Sequence, residues 1–328
     1  MTNTSGQVTN RRLFETMQMV LDTMNDMTPL SGPGFYSVIR VRMLHSQVRV
    51  RLLRSEKYDT ESHGVPINQE DLLATLGAFS VACIWGMQRM GIYISPDDRE
   101  AYILAWKHIG YYMGIQPDLL KRFYADYHSA EKHLCSSITH LLEPKRGEPS
   151  GMLPLRLLNG ISNRPLYGHS IQYHAELSRL LIGDELADIF QLPRANLRTR
   201  IGVWSSLTLM RLELWFGRLY RAGWERERIQ LMREFVDWLV MWQVGKRHAF
   251  ERTTFGYKVE VIEDGKTWLT NGNGEAEEGE EDGNVRVQVD RARIKALKRR
   301  YYRVIVLEPI VLLGGLLCGV GWTIWCLT

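Results

Sequence analysis

The sequence predicts an all-α fold carrying an apolar C-terminal tail, and three observations support this. Apolar residues recur at three- and four-residue spacing through one segment after another. Those segments open on N-cap residues or proline and close at glycine. The one β-like pattern is a short pair, around Lys258 to Ile262 and Val285 to Val289. No repeat of fixed period is present. The chain has 328 residues, 45% hydrophobic and 24% charged, which is a globular composition and excludes a wholly disordered chain.

The first helix is predicted over Arg11–Met24, where Leu13, Met17, Val20, Leu21 and Met24 form one face. The Pro- and Gly-rich run Thr28–Gly34 is a turn. Phe35–Leu53 is a second helix with an apolar stripe and many arginines. Asn68, Gln69, Glu70 and Asp71 cap a helix that runs to about Met90 and ends at Gly91. Ser95 as N-cap and Pro96 at the first helical position start the next, which ends at Gly110 or Gly114. Further helices are predicted over Pro117–Leu142, Pro165–Leu181, Ile201–Tyr220 and Arg226–Phe250.

Charge divides the chain. Residues 1–262 form one helical domain. Residues 263–290 are an acidic, glycine-rich loop: Glu263 to Asn284 holds eight acids against one base, Lys266. Residues 291–303 are a basic segment with seven Lys or Arg and no acid. Residues 304–328 are the expected transmembrane anchor, because Pro309–Leu327 is 19 residues without a charge, close to the ~20 needed to span a bilayer. The adjacent basic run satisfies the positive-inside rule, and Trp322 and Trp325 suit the far interface. Gly315 and Gly319 weakly fit a small-residue helix-pairing motif. The alternative is a buried C-terminal helix of a soluble enzyme, with Glu308 interrupting the apolar run. Met1–Asn10 is polar, so no signal peptide is expected. These features predict a single-pass membrane protein with its helical domain in the cytosol.

Most chemical signatures are missing. GxGxxG, Walker A, GxSxG and HExxH are all absent. The four cysteines form no CxxC, which excludes a zinc ribbon, a thioredoxin-type site and covalent haem attachment. The bases make no basic–aromatic stripe, so no nucleic-acid partner is expected. His45 stands out among the nine histidines. Arg42 lies three residues before it and Arg49 four after, on one helix face. Two fixed cations disfavour protonation, and a neutral imidazole is what a metal needs. Both arginines suit the carboxylates of a haem or another anion. The plainer alternative is a core histidine between two paired surface arginines. Arg12 and Thr16 share a face of the first helix, with Glu15 beside them, and could position a polar ligand or simply form a solvated helix end. His128 and His133 with Glu131, and His169 with His174, have awkward spacing for one helix face and are expected to be solvated. Cys83 lies in an apolar run and is expected to be a buried thiol.

The run from Arg12 to Gly114 resembles the family of the bacterial rubber oxygenase and the fungal endoplasmic-reticulum oxygenase MpaB. The matching features come in order: Arg12 and Thr16; Arg42, His45 and Arg49; Gly64-Val65-Pro66-Ile67-Asn68-Gln69-Glu70-Asp71-Leu72, with Thr75 and Phe79; Gly91-Ile92; and Trp106, Gly110 and Gly114-Ile115. Gly183–Asp188 and Leu192-Pro193 extend the match. The resemblance implies a globin-like helical fold holding haem b, with His45 as the iron ligand and Arg42 and Arg49 as cofactor-binding residues. It implies Arg12, Glu15 and Thr16 as catalytic residues. The implied activity is an O2-dependent cleavage of a carbon–carbon double bond in a prenylated small molecule or polyisoprenoid, at a membrane, in the endoplasmic reticulum. Glu15 stands where the rubber oxygenase has a lysine able to ligate iron, so a base or hydrogen-bond acceptor is implied there instead. Eleven residues precede Arg12, where the family pattern has further helices, one with a glutamate proposed as base. The alternatives are therefore a haem-binding protein with impaired catalysis, or a membrane-anchored helical interaction protein.

Overall fold

The computed structural model describes residues 6–55, 58–141, 152–163, 168–220, 223–244, 259–263, 266–270, 296, 299–300 and 302–307. Two compact units divide the chain, Met1–Ser205 and Ser206–Thr328. The boundary falls inside a helix, whereas the sequence predicts one helical domain to residue 262.

The first unit is helical. Helix α1 (Gly6–Thr23) and helix α2 (Pro33–Leu53) form an αα-hairpin. Pro33 starts α2 at the first helical position after an extended Gly32. A short helix α3 (Thr60–His63) follows, capped by Asp59. Helix α4 (Gln69–Phe79) opens on a capping box, in which Asn68 accepts from the Asp71 amide while Asp71 accepts from the Asn68 amide. The sequence predicts that this helix continues to Met90. The chain instead breaks at Ser80 and restarts as α5 (Val81–Arg89). There the Ser80 hydroxyl bonds the Leu76 carbonyl at 2.7 Å and meets the Tyr124 hydroxyl at 3.2 Å.

Helix α6 (Pro96–Met113) begins on Ser95, whose Oγ accepts from the Asp98 amide. It ends at Gly114, whose φ of +98° makes a left-handed cap that suits glycine. The helix predicted over Pro117–Leu142 is two, α7 (Pro117–Phe123) and α8 (Tyr127–Leu141), with Asp126 accepting from the Ser129 amide at the second start. Helices α9 (Met152–Ile161), α10 (Ile171–Ile182) and α11 (Asp184–Ile189) follow, and α12 (Leu197–Tyr220) crosses the unit boundary.

The core of this unit is where α4, α5, α6 and α8 pack. Leu73, Leu76, Val81, Ile84, Ile103 and Trp106 are buried in it, and Phe79 stacks on Trp106 at 5.5 Å. Among the described residues, one helical stretch, Gln69–Arg89, is long and apolar enough to cross a membrane by length and composition. Its apolar side chains build this core. A second cluster sits at α10 and α11. Arg179 is buried there, donating to Asp184 at 2.8 Å, to Asp188, and to the Leu192 carbonyl at 2.7 Å. That clasp explains the Gly183–Asp188 and Leu192-Pro193 pattern: its acids hold an arginine.

The second unit contains helix α13 (Trp224–Val244), a β-hairpin and a π-helical turn over Tyr302–Leu307. The hairpin corrects the predicted strand pair. Strand β1 (Val259–Glu263) pairs antiparallel with β2 (Lys266–Thr270), within the predicted acidic loop, and residues 285–289 lie outside the described residues. Val304, the first residue of the predicted anchor, is buried with Trp224 and Leu231. The rest of the anchor from residue 308 onward, most of the acidic loop and most of the basic segment lie outside the described residues.

Candidate functional site

His45 sits in the middle of α2, half-buried. Its Nδ1 is fully buried and has no hydrogen-bond partner. Burial, then the charge of Arg49, holds the imidazole below the ordinary histidine range. A neutral imidazole with an uncommitted nitrogen is the form that ligates a metal. An unpaired buried nitrogen is otherwise unfavourable, because its desolvation is uncompensated.

The two flanking arginines reach out to neighbouring segments. Arg49 donates through Nε to the Pro66 carbonyl at 3.1 Å and through Nη2 to the Ile67 carbonyl. Ile67 has φ +54°, a left-handed conformation that is unfavourable for a β-branched side chain. The arginine fixes that strained turn directly before the α4 cap. Arg42 donates through Nη1 to the Tyr112 carbonyl at 3.4 Å, near the end of α6. A Cβ on Gly114 would lie 3.0 Å from the Arg42 Nε, so glycine also gives that side chain room. Gln69 completes the junction: its Nε2 donates to the Gly114 carbonyl, and its Oε1 accepts from the Gln116 amide. Three stretches that are far apart in the chain, 42–49, 66–72 and 110–116, are thereby tied together beside His45. A guanidinium has five N–H donors, so both arginines retain donors for an anion.

Glu15 lies on α1, only 6% exposed. The Arg12 guanidinium, itself largely exposed, sits 3.2 Å from its Oε2. Thr16 donates its hydroxyl to the Arg12 carbonyl at 3.0 Å, so that group is spent on its own helix. Two residues not singled out from the sequence define how α1 meets α2. Asp22 accepts from the buried Ser37 hydroxyl at 2.5 Å and from Gln18 Nε2 at 2.7 Å. Glu15, Gln18 and Asp22 are spaced three and four apart and so share one face of α1, which meets α2 at Asp22. The two helices meet at their adjoining ends, where Asp22 contacts Ser37 and Gly34 lies against Asp22 and Thr23. On α2, His45 falls between the edge that meets α1 (Gly34, Ser37) and the edge that meets α6 (Phe35, Arg42). Helix α1 also packs against α9.

The remaining histidines lie elsewhere. His133 is half-buried with its ring 4.4 Å from that of Phe123, and burial holds it below the ordinary range. It lines a cleft of about 570 Å³ between α4, α7 and α8, with Leu73, Leu119, Arg122 and Lys132. None of the predicted site residues lines that cleft. Glu131 is taken up by Trp85 Nε1 and the Tyr127 hydroxyl, both at 2.7 Å. His169 stacks on Tyr173 at 3.9 Å. His133 and Glu131 are thus structural groups, not solvated ones. Cys83 is exposed and not the buried thiol its apolar run suggests, although partial burial holds the thiol above the ordinary range. Among the described residues, no three His, Cys, Asp or Glu side chains gather to hold a metal ion. A single-histidine site such as His45 does not require such a group.

Comparison with known proteins finds no match among curated proteins and none among solved structures. A family model does match, over residues 2–212, so it covers α1 to most of α12 and contains every residue of the site above. With more than half of its length matched, the chain belongs to the family described as the ER-bound oxygenase mpaB/B'/rubber oxygenase catalytic domain.

Proposed function

We propose that this oxygenase-family chain uses haem b and O2 to cleave a carbon–carbon double bond in a prenylated small molecule or polyisoprenoid. The observation that carries this reading is His45: a half-buried, neutral-biased imidazole with an unpaired, buried Nδ1. When bound, haem supplies the iron at which dioxygen is activated. His45 offers the ring nitrogen that would ligate that iron. The spare N–H groups of Arg42 and Arg49 suit its propionates. Glu15 is the one buried carboxylate among the described residues of α1 and α2. Its Oε2 lies 3.2 Å from Arg12 Nη1, and in this reading Glu15 is the group that accepts a proton from the substrate. One O2 and one double bond give two carbonyl groups, each taking one oxygen atom, with no external reductant.

An apolar substrate of this kind partitions into lipid, and the charge-free run Pro309–Leu327 would hold the chain there as a C-terminal anchor. The family's description as ER-bound supports the same compartment. The test is direct. Full-length protein supplied with haem is incubated with prenylated aromatic compounds in air, and carbonyl products are trapped as hydrazones. Chain-shortened aldehydes or ketones that require both haem and O2 are the expected outcome. Haem-loaded, folded protein that yields none across the panel would leave haem binding without cleavage and overturn the catalytic reading.

A further inference from the structure

We propose that the outer face of α2, together with the loop before it, docks on the anionic surface of a membrane. The inference does not rest on the oxygenase reading. It starts at Leu30, a leucine held at φ +66° with 77% of its surface exposed. Left-handed backbone is unfavourable for leucine, and exposure removes any gain from burial. The conformation is nevertheless pinned. The Tyr36 hydroxyl donates to the Leu30 carbonyl at 2.5 Å, and Asp26 accepts from the Thr28 amide and hydroxyl at 2.8 and 2.6 Å. The loop therefore holds an apolar side chain out to solvent.

The stripe continues along α2. Tyr36, Met43, Val50 and Leu53 are spaced seven, seven and three apart, which keeps them on one side of a helix. Each is between 39% and 47% exposed. The opposite side carries the buried Val38 and Val41, and it is this inner side that packs on α1 and α6. Along the edge of the exposed stripe lie Arg40, Arg51 and Arg54. None of these three has an acidic partner among the described residues. No Asp or Glu occurs anywhere from Met27 to Ser55, while five arginines do.

Charge decides the occupant. A second copy of the chain would set Arg40, Arg51 and Arg54 against the same three arginines. The acidic run Gly274–Gly283 of this chain matches the charge but has only Ala276 as an apolar side chain. An anionic bilayer matches both features: apolar side chains enter the headgroup–acyl boundary, and guanidinium groups pair with lipid phosphates. Lying flat, α2 would present His45 on the side away from the lipid.

The test uses the full chain reconstituted in vesicles, with Cys83, Cys135, Cys318 and Cys326 replaced by serine. Single cysteines, Leu30→Cys, Met43→Cys and Val50→Cys, carry an environment-sensitive fluorophore, and Asp97→Cys at the exposed start of α6 is the control. In phosphatidylcholine vesicles containing phosphatidylserine, the three face probes are expected to shift to the blue, brighten several-fold and be quenched by spin-labelled lipid. The control stays unchanged. Arg40→Glu, Arg51→Glu and Arg54→Glu together are expected to abolish the shift while far-ultraviolet circular dichroism is unaltered. Face probes that remain in water on vesicles would overturn the proposal, since only the apolar tail would then touch lipid. A blue shift that grows with protein concentration in the absence of lipid would overturn it too, by assigning the face to a second copy.

Discussion

A buried carboxylate is unfavourable unless a partner offsets the lost hydration. Glu15 has Arg12 as such a partner, at 3.2 Å and mostly in solvent. Glu15→Gln keeps the shape and removes the proton acceptor. Carbonyl product formation is expected to fall by ~10²-fold or more, the usual weight of a general base, with the haem spectrum retained. A haem-loaded variant as fast as the parent would remove Glu15 from the chemistry.

His133 and His174 belong to the same scale. Burial is the larger influence on both, and each sits below the ordinary histidine value of about 6.5. For His133, Glu70 opposes that shift, and Arg122 and Lys132 share its cleft. The folded state therefore binds fewer protons than the unfolded chain just below neutrality. Their contribution to stability is complete above about pH 6.5 and is lost as the pH falls. Denaturation midpoints are expected to drop between about pH 7 and 5, and His133→Gln should flatten that slope. A variant with an unchanged slope would show that His133 titrates alike in both states.

At the scale of elements, the hairpin of α1 and α2 sets the site. Gly34 is a point of close backbone approach: a Cβ there would lie 2.6 Å from the Asp22 carbonyl oxygen and 2.8 Å from the Thr23 Cα. Neither atom is the end of a flexible side chain. Gly34→Ala is expected to destabilise the protein by roughly 2–3 kcal/mol, read from chemical denaturation, because the helices must separate. A midpoint within error of the parent would mean that the hairpin yields at no cost.

Much of this level was legible in the sequence. The starts of α4 and α6 follow from Asn68–Asp71 and Ser95-Pro96, because caps are local chemistry. The break at Ser80 was not, since its partner Tyr124 is 44 residues away. The β-hairpin had a local signal, Asp264-Gly265 between its strands, which favours two-residue turns; the acidic composition around it masked that signal. His45, Arg42 and Arg49 were legible from spacing. The seam was not: Asp22 and Ser37 are ordinary polar residues until two helices bring them together.

At the scale of the whole molecule, the family match ends at residue 212, close to the boundary between the two compact units at Ser205. The matched part holds every candidate site residue, and the apolar run lies in the other part. Alkaline carbonate extraction of membranes is expected to leave the full chain behind and to release protein ended before Pro309. Release of both would assign the run to the protein interior. The central claim is that His45 holds a haem. The most direct measurement is the absorption spectrum of the haem-supplied full-length chain beside that of His45→Ala. A stoichiometric Soret band in the parent, lost in the variant with helical content preserved, is the predicted result. Equal bands in both proteins, or none in either from folded material, would contradict it.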